Sequence, residues 1–242
     1  EHDGDYYKEL KAYIEDRGLV LSQAHAPFPS SYPEVEKSEK RFWEIVNGMR
    51  NAAWLGAPMI VVHPCTHLDF TVDENSEILF EYNLDFYRKL IPYAEKFGIK
   101  IAIENIDKQS VTSTPERLCR LYDELNNPVF TVCFDVGHCL FQGVNPDEAI
   151  RKIGTRLVNG CTHVHDNSGE QDEHTLPFYG KVEWDSVMRA LAEIGYKGDF
   201  NYEAALFLKN VPPMLYADGL KYMAKVGHYL IGRFEYYKNA NK

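Results

Sequence analysis

The sequence predicts an α/β fold of the (β/α)₈ barrel type, and three observations lead to that expectation. Short apolar runs alternate with longer segments of helical periodicity along the whole chain. The runs are almost continuously apolar, which is typical of parallel strands buried on both faces. Each run also ends at or beside a histidine or a carboxylate, and barrel enzymes carry their working residues at the C-terminal ends of their strands.

Six strands are predicted. They fall within GLVLSQAH (18–25), APMIVVHP (57–64), GIKIAIEN (98–105), VFTVCFDVGH (129–138), LVNGCTHVH (157–165) and GDFNYEA (198–204). A complete barrel has eight strands. Because residues 5–18 already have the pattern of a helix that enters the first visible strand, we expect the first two strands to precede residue 1. A doubly wound open sheet is the alternative, but no GxGxxG loop follows the first strand.

Ordinary start and stop signals delimit the helices between these strands. No linker or low-complexity segment interrupts the pattern, so we expect a single domain over residues 1–242. The last helix is rich in Tyr and Met and is suited either to closing the barrel or to a contact between two copies of the chain. The predicted helices begin or end near Ser38 and Gly56, 75 and 98, Thr114-Pro115, Asn145-Pro146, Trp184 and Ile194, and 213 and 237.

Composition limits the classes of function. The chain has 242 residues and a net charge of −10, and an acidic surface disfavours binding to nucleic acid phosphates. No apolar run is long enough to span a membrane. The five cysteines are odd in number and form no CxxC pair, so we expect small buried thiols in a reducing, cytoplasmic environment rather than a disulfide framework.

The strand ends supply a set of side chains that suits a divalent metal. Imidazole and carboxylate together are typical ligands of Zn²⁺, Mn²⁺, Fe and Co²⁺. Several carboxylates in one pocket would repel one another unless they are protonated or bound to cations, so a shared metal is the simplest explanation for their convergence. The candidates in chain order are His25, His63, Glu104, Asp135, His138, His163, His165, Asp172, His174 and Glu203.

The densest part of this set is the stretch HVHDNSGEQDEH, from His163 to His174. His163 and His165 have the same parity, so both should face the barrel interior at successive levels, with one binding metal and the other orienting a ligand or contacting substrate. A bend at Gly169 would let Asp172 and His174 point back toward the same site. The remaining acids of this stretch, Asp166, Glu170 and Glu173, are expected to face solvent or to support a metal ligand.

In order along the chain, the motifs HAP, HP, IEN, DVGH, HVHDN, DEH, GKVEW and YEA resemble those of the xylose isomerase-like barrel superfamily. The resemblance implies a metal site formed by Glu104, Asp135, His163 and Glu203, with Glu104 and Glu203 also catalytic. For a metal held by these residues, we expect Asn105 and Asn167 to orient its ligands. Where sugar epimerases of the superfamily often have a substrate-binding Arg, this chain has His174.

The resemblance implies two enzymatic activities. One is a sugar or polyol isomerase or epimerase, in which a divalent ion (Zn, Mn, Co or Mg) stabilises an enediolate during proton transfer. The other is a zinc-dependent apurinic endonuclease. The endonucleases of the superfamily bind three metal ions. The resemblance implies that the additional ligands in this chain would be His25, His63, His138, Asp172 and His174.

The acidic charge and the absence of a Lys/Arg cluster favour the sugar enzyme. In that reading His138, His165 and His174 would contact substrate hydroxyls or move protons. A barrel that binds a sugar or a metal without catalysis is a third alternative, in which a partner chain would cover the exposed strand edges.

Overall fold

The computed structural model describes residues 4–66, 76–106, 110–209 and 211–240. Six parallel strands follow one another in the sheet in chain order. Each strand lies inside one of the predicted stretches, so the prediction of six strands is confirmed. The strands are β1 (Ala24–His25), β2 (Met59–Val62), β3 (Lys100–Glu104), β4 (Phe130–Asp135), β5 (Cys161–Val164) and β6 (Phe200–Tyr202).

Helices alternate with these strands, and all the predicted helices are present. The sequence pattern does not predict one further short helix, α5, because residues 136–138 continue the run of the preceding strand. The helices are α1 (Gly4–Glu15), α2 (Val35–Leu55), α3 (Ser76–Phe97), α4 (Pro115–Leu125), α5 (Val136–Phe141), α6 (Pro146–Ile153), α7 (Trp184–Glu193) and α8 (Tyr216–Ala240).

Helix α2 starts earlier in the chain than the sequence predicts. It begins three residues before the expected start at Ser38, because the Ser38 hydroxyl does not cap the helix. That hydroxyl instead accepts a hydrogen bond from the Tyr32 N–H and donates one to the Tyr32 carbonyl, each at 2.8 Å. The helix ends at Gly56 as predicted, where a left-handed backbone (φ 88°) lets the glycine N–H bond the carbonyls of Ala52 and Ala53.

The chain divides into two compact units. The first unit comprises Glu1–Glu104, Gln109–Val111 and Arg120–Val132. In it β1 pairs with β2 and β2 with β3, all parallel. The strands are packed by helices α2 and α3, and the Tyr87 hydroxyl donates to the Val62 carbonyl at 2.8 Å. Its largest fully buried side chains include Ile45, Met49, Ile60, Leu84, Tyr87 and Leu90.

The second unit comprises Asn105–Lys108, Thr112–Cys119 and Cys133–Lys242. The end of β4 pairs with β5 so that Asp135 lies opposite His163. Strand β5 pairs with β6, with Val164 opposite Tyr202. The Glu203 N–H continues this ladder to the Val164 carbonyl at 3.2 Å. The register therefore brings the C-terminal ends of three strands to one edge of this unit. The prediction of a single domain over 1–242 stays a prediction.

None of the helices in the described part of the chain is long and apolar enough to cross a membrane. The five cysteines are buried. Burial raises the pKa of Cys65 to about 12 and also raises the pKa of Cys139, which disfavours the reactive thiolate form.

This burial predicts how the thiols react. We expect a disulfide reagent such as Ellman's reagent to modify none of the five cysteines of the native protein within minutes, and all five after denaturation, because only unfolding exposes the sulfur atoms. The measurement is thiol titration with and without guanidinium. A thiol that reacts rapidly in the native protein would contradict this description of the core.

Candidate metal centre

Three residues of the predicted ligand set lie together in the second unit. Asp135 ends β4, His163 lies in β5 and Glu203 follows β6 directly. The His163 Nδ1 atom is 2.9 Å from Glu203 Oε2 and 3.8 Å from Asp135 Oδ2. Asp135 and His163 are buried, whereas the Glu203 side chain is 39% exposed. We call these three residues the acid–histidine triad.

The contact between His163 and Glu203 is short but lacks hydrogen-bond geometry. Within the described residues, the buried Glu203 Oε2 atom accepts no hydrogen bond of acceptable angle, although His163 Nδ1 is 2.9 Å away. A carboxylate oxygen and an imidazole nitrogen this close together without a hydrogen bond can both coordinate one cation. An imidazole nitrogen and two carboxylates are a donor set that suits Zn²⁺ or Mn²⁺, so the triad fits a divalent ion.

Asp135 is held in place by its neighbours. Its backbone N–H donates to the Asn105 side-chain oxygen, and its carbonyl accepts from the Asn105 amide, both at 2.8 Å. Its carboxylate accepts the His138 N–H at 2.6 Å and so caps helix α5. The same carboxylate lies 2.9 Å from His165 Nε2. Asn105 therefore fixes the backbone of Asp135 rather than its carboxylate.

A second group of ligand-type side chains lies in the same unit, and we call it the histidine cluster. One ligand atom from each of its four members lies within 4.8 Å of the others. Asp172 Oδ2 is 3.0 Å from His174 Nε2 and 3.3 Å from His138 Nε2. The His165 ring stacks on the His174 ring with centroids 3.9 Å apart. The members are His138, His165, Asp172 and His174.

Two histidines of this cluster are oriented by backbone carbonyls. His138 Nδ1 lies 3.0 Å from the Asn105 carbonyl, and His174 Nδ1 lies 2.9 Å from the Glu203 carbonyl. Because a carbonyl can only accept, each Nδ1 must donate, which leaves each Nε2 facing the Asp172 carboxylate. Metal-binding histidines are fixed by this same outer hydrogen bond. In the described residues, Asp172 Oδ1 and His165 Nδ1 are also buried without a hydrogen-bond partner.

Within the histidine cluster, the pKa values of Asp172 and His174 shift in opposite directions. Burial opposes ionisation of Asp172, but hydrogen bonds from His138 and His174 outweigh it and lower the pKa of this carboxyl. Burial likewise opposes the charged form of His174. The hydrogen bonds to Asp172 and to the Glu203 carbonyl prevail and raise the pKa of His174 to about 9. The cluster therefore favours an anionic carboxylate, the form that binds a cation.

The first unit contains a third group, formed by His25, His63 and Glu104. Glu104 is fully buried at the end of β3, and its Oε2 atom lies 2.9 Å from His63 Nε2 and 3.5 Å from His25 Nε2. His25 Nδ1 donates to the Ala26 carbonyl at 2.7 Å, so its Nε2 faces Glu104. The ring of Phe28, 63% exposed, stacks on His63 with centroids 4.9 Å apart.

All ten predicted site residues thus lie in one of these three groups. The predicted parity of His163 and His165 is consistent with the burial of both rings. The Gly169 bend is present with φ 76°. The resemblance implies that Glu104 binds the same ion as the acid–histidine triad. Glu104 belongs to the first unit, so its participation stays a prediction.

For Asp166 the structure excludes one of the two positions that the sequence left open. Asp166 does not face solvent, because it is fully buried and accepts hydrogen bonds from backbone and side-chain N–H groups around it. Glu173 is half-buried and accepts the Ser168 N–H at 2.7 Å, whereas Glu170 is exposed as expected. The signal for Asp166 was available in the motif GKVEW, whose Trp184 supplies one of the donors.

Comparison with known proteins places the chain in a family. A family model described as "Xylose isomerase-like TIM barrel" matches residues 2–226. An uncharacterised protein of Sinorhizobium fredii, y4fM, is 31% identical over 202 residues, which cover 77% of this chain and 63% of that protein. The chain therefore spans less than two thirds of that relative.

Relatives with named activities are more distant. A D-psicose 3-epimerase of Ruminiclostridium cellulolyticum is 23% identical over 78% of this chain and 65% of its own length. An inosose dehydratase of Clostridium perfringens is 24% identical over 92% of this chain and 80% of its own length.

Solved structures confirm the fold class. A D-tagatose 3-epimerase-like protein superimposes with a TM-score of 0.76 at 26% identity, covering 99% of this chain and 85% of its own. The IolI protein, solved with a zinc atom, has the same fold, with a TM-score of 0.77 at 19% identity over 96% of this chain and 82% of its own. The α/β TIM-barrel-like fold predicted from the sequence is therefore correct.

The packing around His165 generates a prediction. A Cβ atom on Gly137 would lie 2.0 Å from His165 Cε1, so Gly137→Ala must displace the imidazole ring. We expect the free energy of unfolding to fall by about 1–3 kcal/mol, as for an overpacked core. The measurement is urea unfolding.

The matched control is Gly232→Ala, because Gly232 is also helical and its Cβ would meet nothing within 4 Å. That variant should be neutral or more stable by up to about 1 kcal/mol. Equal stability of the two variants would contradict the described position of His165.

Proposed function

The chain belongs to the xylose isomerase-like TIM barrel family, and from that membership we propose that it is a metal-dependent isomerase or epimerase of a sugar or polyol. The observation that carries the proposal is the acid–histidine triad. Its three members come from the ends of successive strands, and they contact one another at 2.9 and 3.8 Å. The named relatives, which act on sugars and on inosose, support the same substrate class.

In the proposed reaction a divalent cation supplies Lewis-acid stabilisation of the negative charge that develops on a substrate carbonyl oxygen. We propose that Asp135, His163 and Glu203 hold this ion together with Glu104, the fourth residue that the resemblance implies. Asp135 and His163 are buried and held by neighbouring groups, so their role is to fix the site.

Glu203 has the properties required for proton transfer. It is the partly exposed member of the triad, so substrate from solvent can approach its carboxylate. Both polar groups of its backbone are hydrogen-bonded. The Glu203 N–H donates to the Val164 carbonyl, and the Glu203 carbonyl accepts from His174 Nδ1. A carboxylate on a rigid backbone can remove a proton from one carbon and return it in a defined direction. Glu104 is the second proton-transfer residue in this proposal.

The substrate that best fits this proposal is small, polar and uncharged. The protein carries a net charge of −10, which disfavours phosphorylated substrates by like-charge repulsion. The imidazole groups of the histidine cluster offer donors and acceptors for hydroxyl groups.

A second candidate function, apurinic endonuclease activity, is favoured by one specific observation. The histidine cluster lies in the same unit as the acid–histidine triad and supplies ligand-type atoms beyond those needed for one ion. Several ions could bind a phosphodiester and generate hydroxide. The acidic charge opposes this candidate, because DNA binding rests largely on Lys and Arg contacts to phosphates.

Replacement of the proposed base tests the leading function. With the metal-loaded protein and a panel of ketoses and inososes, we expect Glu203→Gln to lower kcat at least about 100-fold, because general acid–base catalysis contributes that much. Glu235→Gln is the matched control, since Glu235 is an exposed acid on α8 that pairs with Lys238, and it should leave kcat unchanged. Turnover that survives in Glu203→Gln would rule out this role.

Metal content and DNA cleavage separate the two functions. For the isomerase, we expect one tightly bound ion per chain by elemental analysis, loss of sugar turnover after chelation, and intact abasic duplex DNA. Three ions per chain with nicking of abasic DNA at low salt, and no change in any sugar, would establish the endonuclease instead.

A further inference from the structure

We propose that Asp166 is a positioning residue that holds the loop carrying Asp172 and His174, and thereby sets the affinity of the histidine cluster for a metal ion. The inference rests on the metal dependence in the proposed function, but it concerns a second, weaker ion at the histidine cluster, in addition to the tightly bound ion of the acid–histidine triad. It does not depend on which substrate is used. None of the four donors to the Asp166 carboxylate belongs to the histidine cluster, so its action is through the backbone of residues 167–183.

The Asp166 carboxylate is the point at which this loop is fastened. It is fully buried, and each of its oxygens accepts two hydrogen bonds. Oδ1 accepts the backbone N–H groups of Asn167 and Val182, at 2.9 and 3.1 Å. Oδ2 accepts the Phe178 N–H at 2.9 Å and the indole N–H of Trp184 at 2.8 Å. A buried charge is tolerated when its lone pairs are satisfied in this way.

The backbone of Asp166 fastens the middle of the loop as well. Its N–H donates to the Thr175 carbonyl at 2.9 Å, and its carbonyl accepts from the Thr175 N–H at 3.1 Å. This isolated antiparallel bridge lies directly after His174 in the chain. Position 174 has a left-handed backbone, with φ 43°, which is uncommon for residues other than glycine. The bridge therefore holds His174 in a conformation that a free loop would rarely adopt.

The backbone of residues 180 and 181 packs closely against Asp166 and Asn167. The Lys181 N–H donates to the Asn167 carbonyl at 2.9 Å. A Cβ atom on Gly180 would lie 2.3 Å from both Asp166 Oδ1 and the Asn167 carbonyl oxygen. Both ends of the loop thus meet at Asp166, and the segment with Asp172 and His174 is held between them.

The chemistry of the carboxylate explains why it is needed. In Asp166→Asn one oxygen becomes an NH₂ group, which would face two N–H donors and lose both hydrogen bonds. The loop would then shift. Because metal ligands must lie within a few tenths of an ångström of their required distance, a small displacement of Asp172 and His174 weakens ion binding.

The experiment is a zinc competition titration with a chelator on the full chain. We expect Asp166→Asn to weaken the ion bound by the histidine cluster about 10–100-fold, the usual effect of losing a supporting group, and so to resemble a His174→Ala reference. Glu170→Gln is the matched control. Glu170 is an exposed acid on the same loop, 4.0 Å from Lys181, and its replacement should change nothing.

Hydrogen exchange supplies a readout independent of metal. In the apo protein, the amides of Phe178 and Val182 should exchange faster in Asp166→Asn than in the parent chain. Trp184→Phe keeps the carboxylate and removes one donor, so it should give a smaller change in the same direction, and it serves if Asp166→Asn fails to fold. Zinc affinity and amide exchange equal to those of the parent would overturn the proposal.

The two proposals can fail separately. If the parent chain turns over no sugar while Asp166→Asn still loses zinc affinity, the proposed isomerase function fails and the positioning role stands. If sugar turnover is present but Asp166→Asn binds zinc as the parent chain does, the function stands and the positioning role fails.

Discussion

The buried carboxylate of Asp135 is the group on which the candidate site of the second unit depends. Removing a charge from water is costly unless hydrogen bonds or opposite charges compensate it. Asp135 is fully buried, and its compensation comes from the His138 N–H and from the imidazoles of His163 and His165. One side chain therefore ends a strand, starts helix α5 and contacts a histidine from each of two groups.

This arrangement explains how one short helix contributes to the chemistry. Because Asp135 caps α5, the chain turns immediately after β4 and His138 enters the site from a helix rather than from a strand. His163 and His165 both reach the Asp135 carboxylate, at 3.8 and 2.9 Å, because residues two apart in a strand project from the same face. The acid–histidine triad and the histidine cluster are thus joined through one carboxylate. A cation in either group would change the electrostatic environment of the other.

The sequence predicted the strands and the ten ligand-type residues because both rest on local pattern. Apolar runs set the strands, and a polar residue at the end of each parallel strand must lie at the same edge of a sheet. Helix α5 was missed because VGH continues an apolar run, and only the bond from Asp135 to His138 ends the strand there. For Asp166 the sequence left two positions open, at the surface or in support of a metal ligand. Three of its four donors lie 12 to 18 residues away, and spacing alone does not show that they are in contact.

Because hydrogen bonds to Asp166 hold the two ends of the loop, the residues between them can tolerate substitution. Residues 168–173 lie between the anchor and the bridge at Thr175, so most changes among them leave the strands and the anchor undisturbed. Exposed members such as Glu170 and Gln171 can therefore vary freely, and the rim of the site can be remodelled by mutation without loss of the scaffold. An engineer who seeks altered ligand preference should begin with a library at these positions.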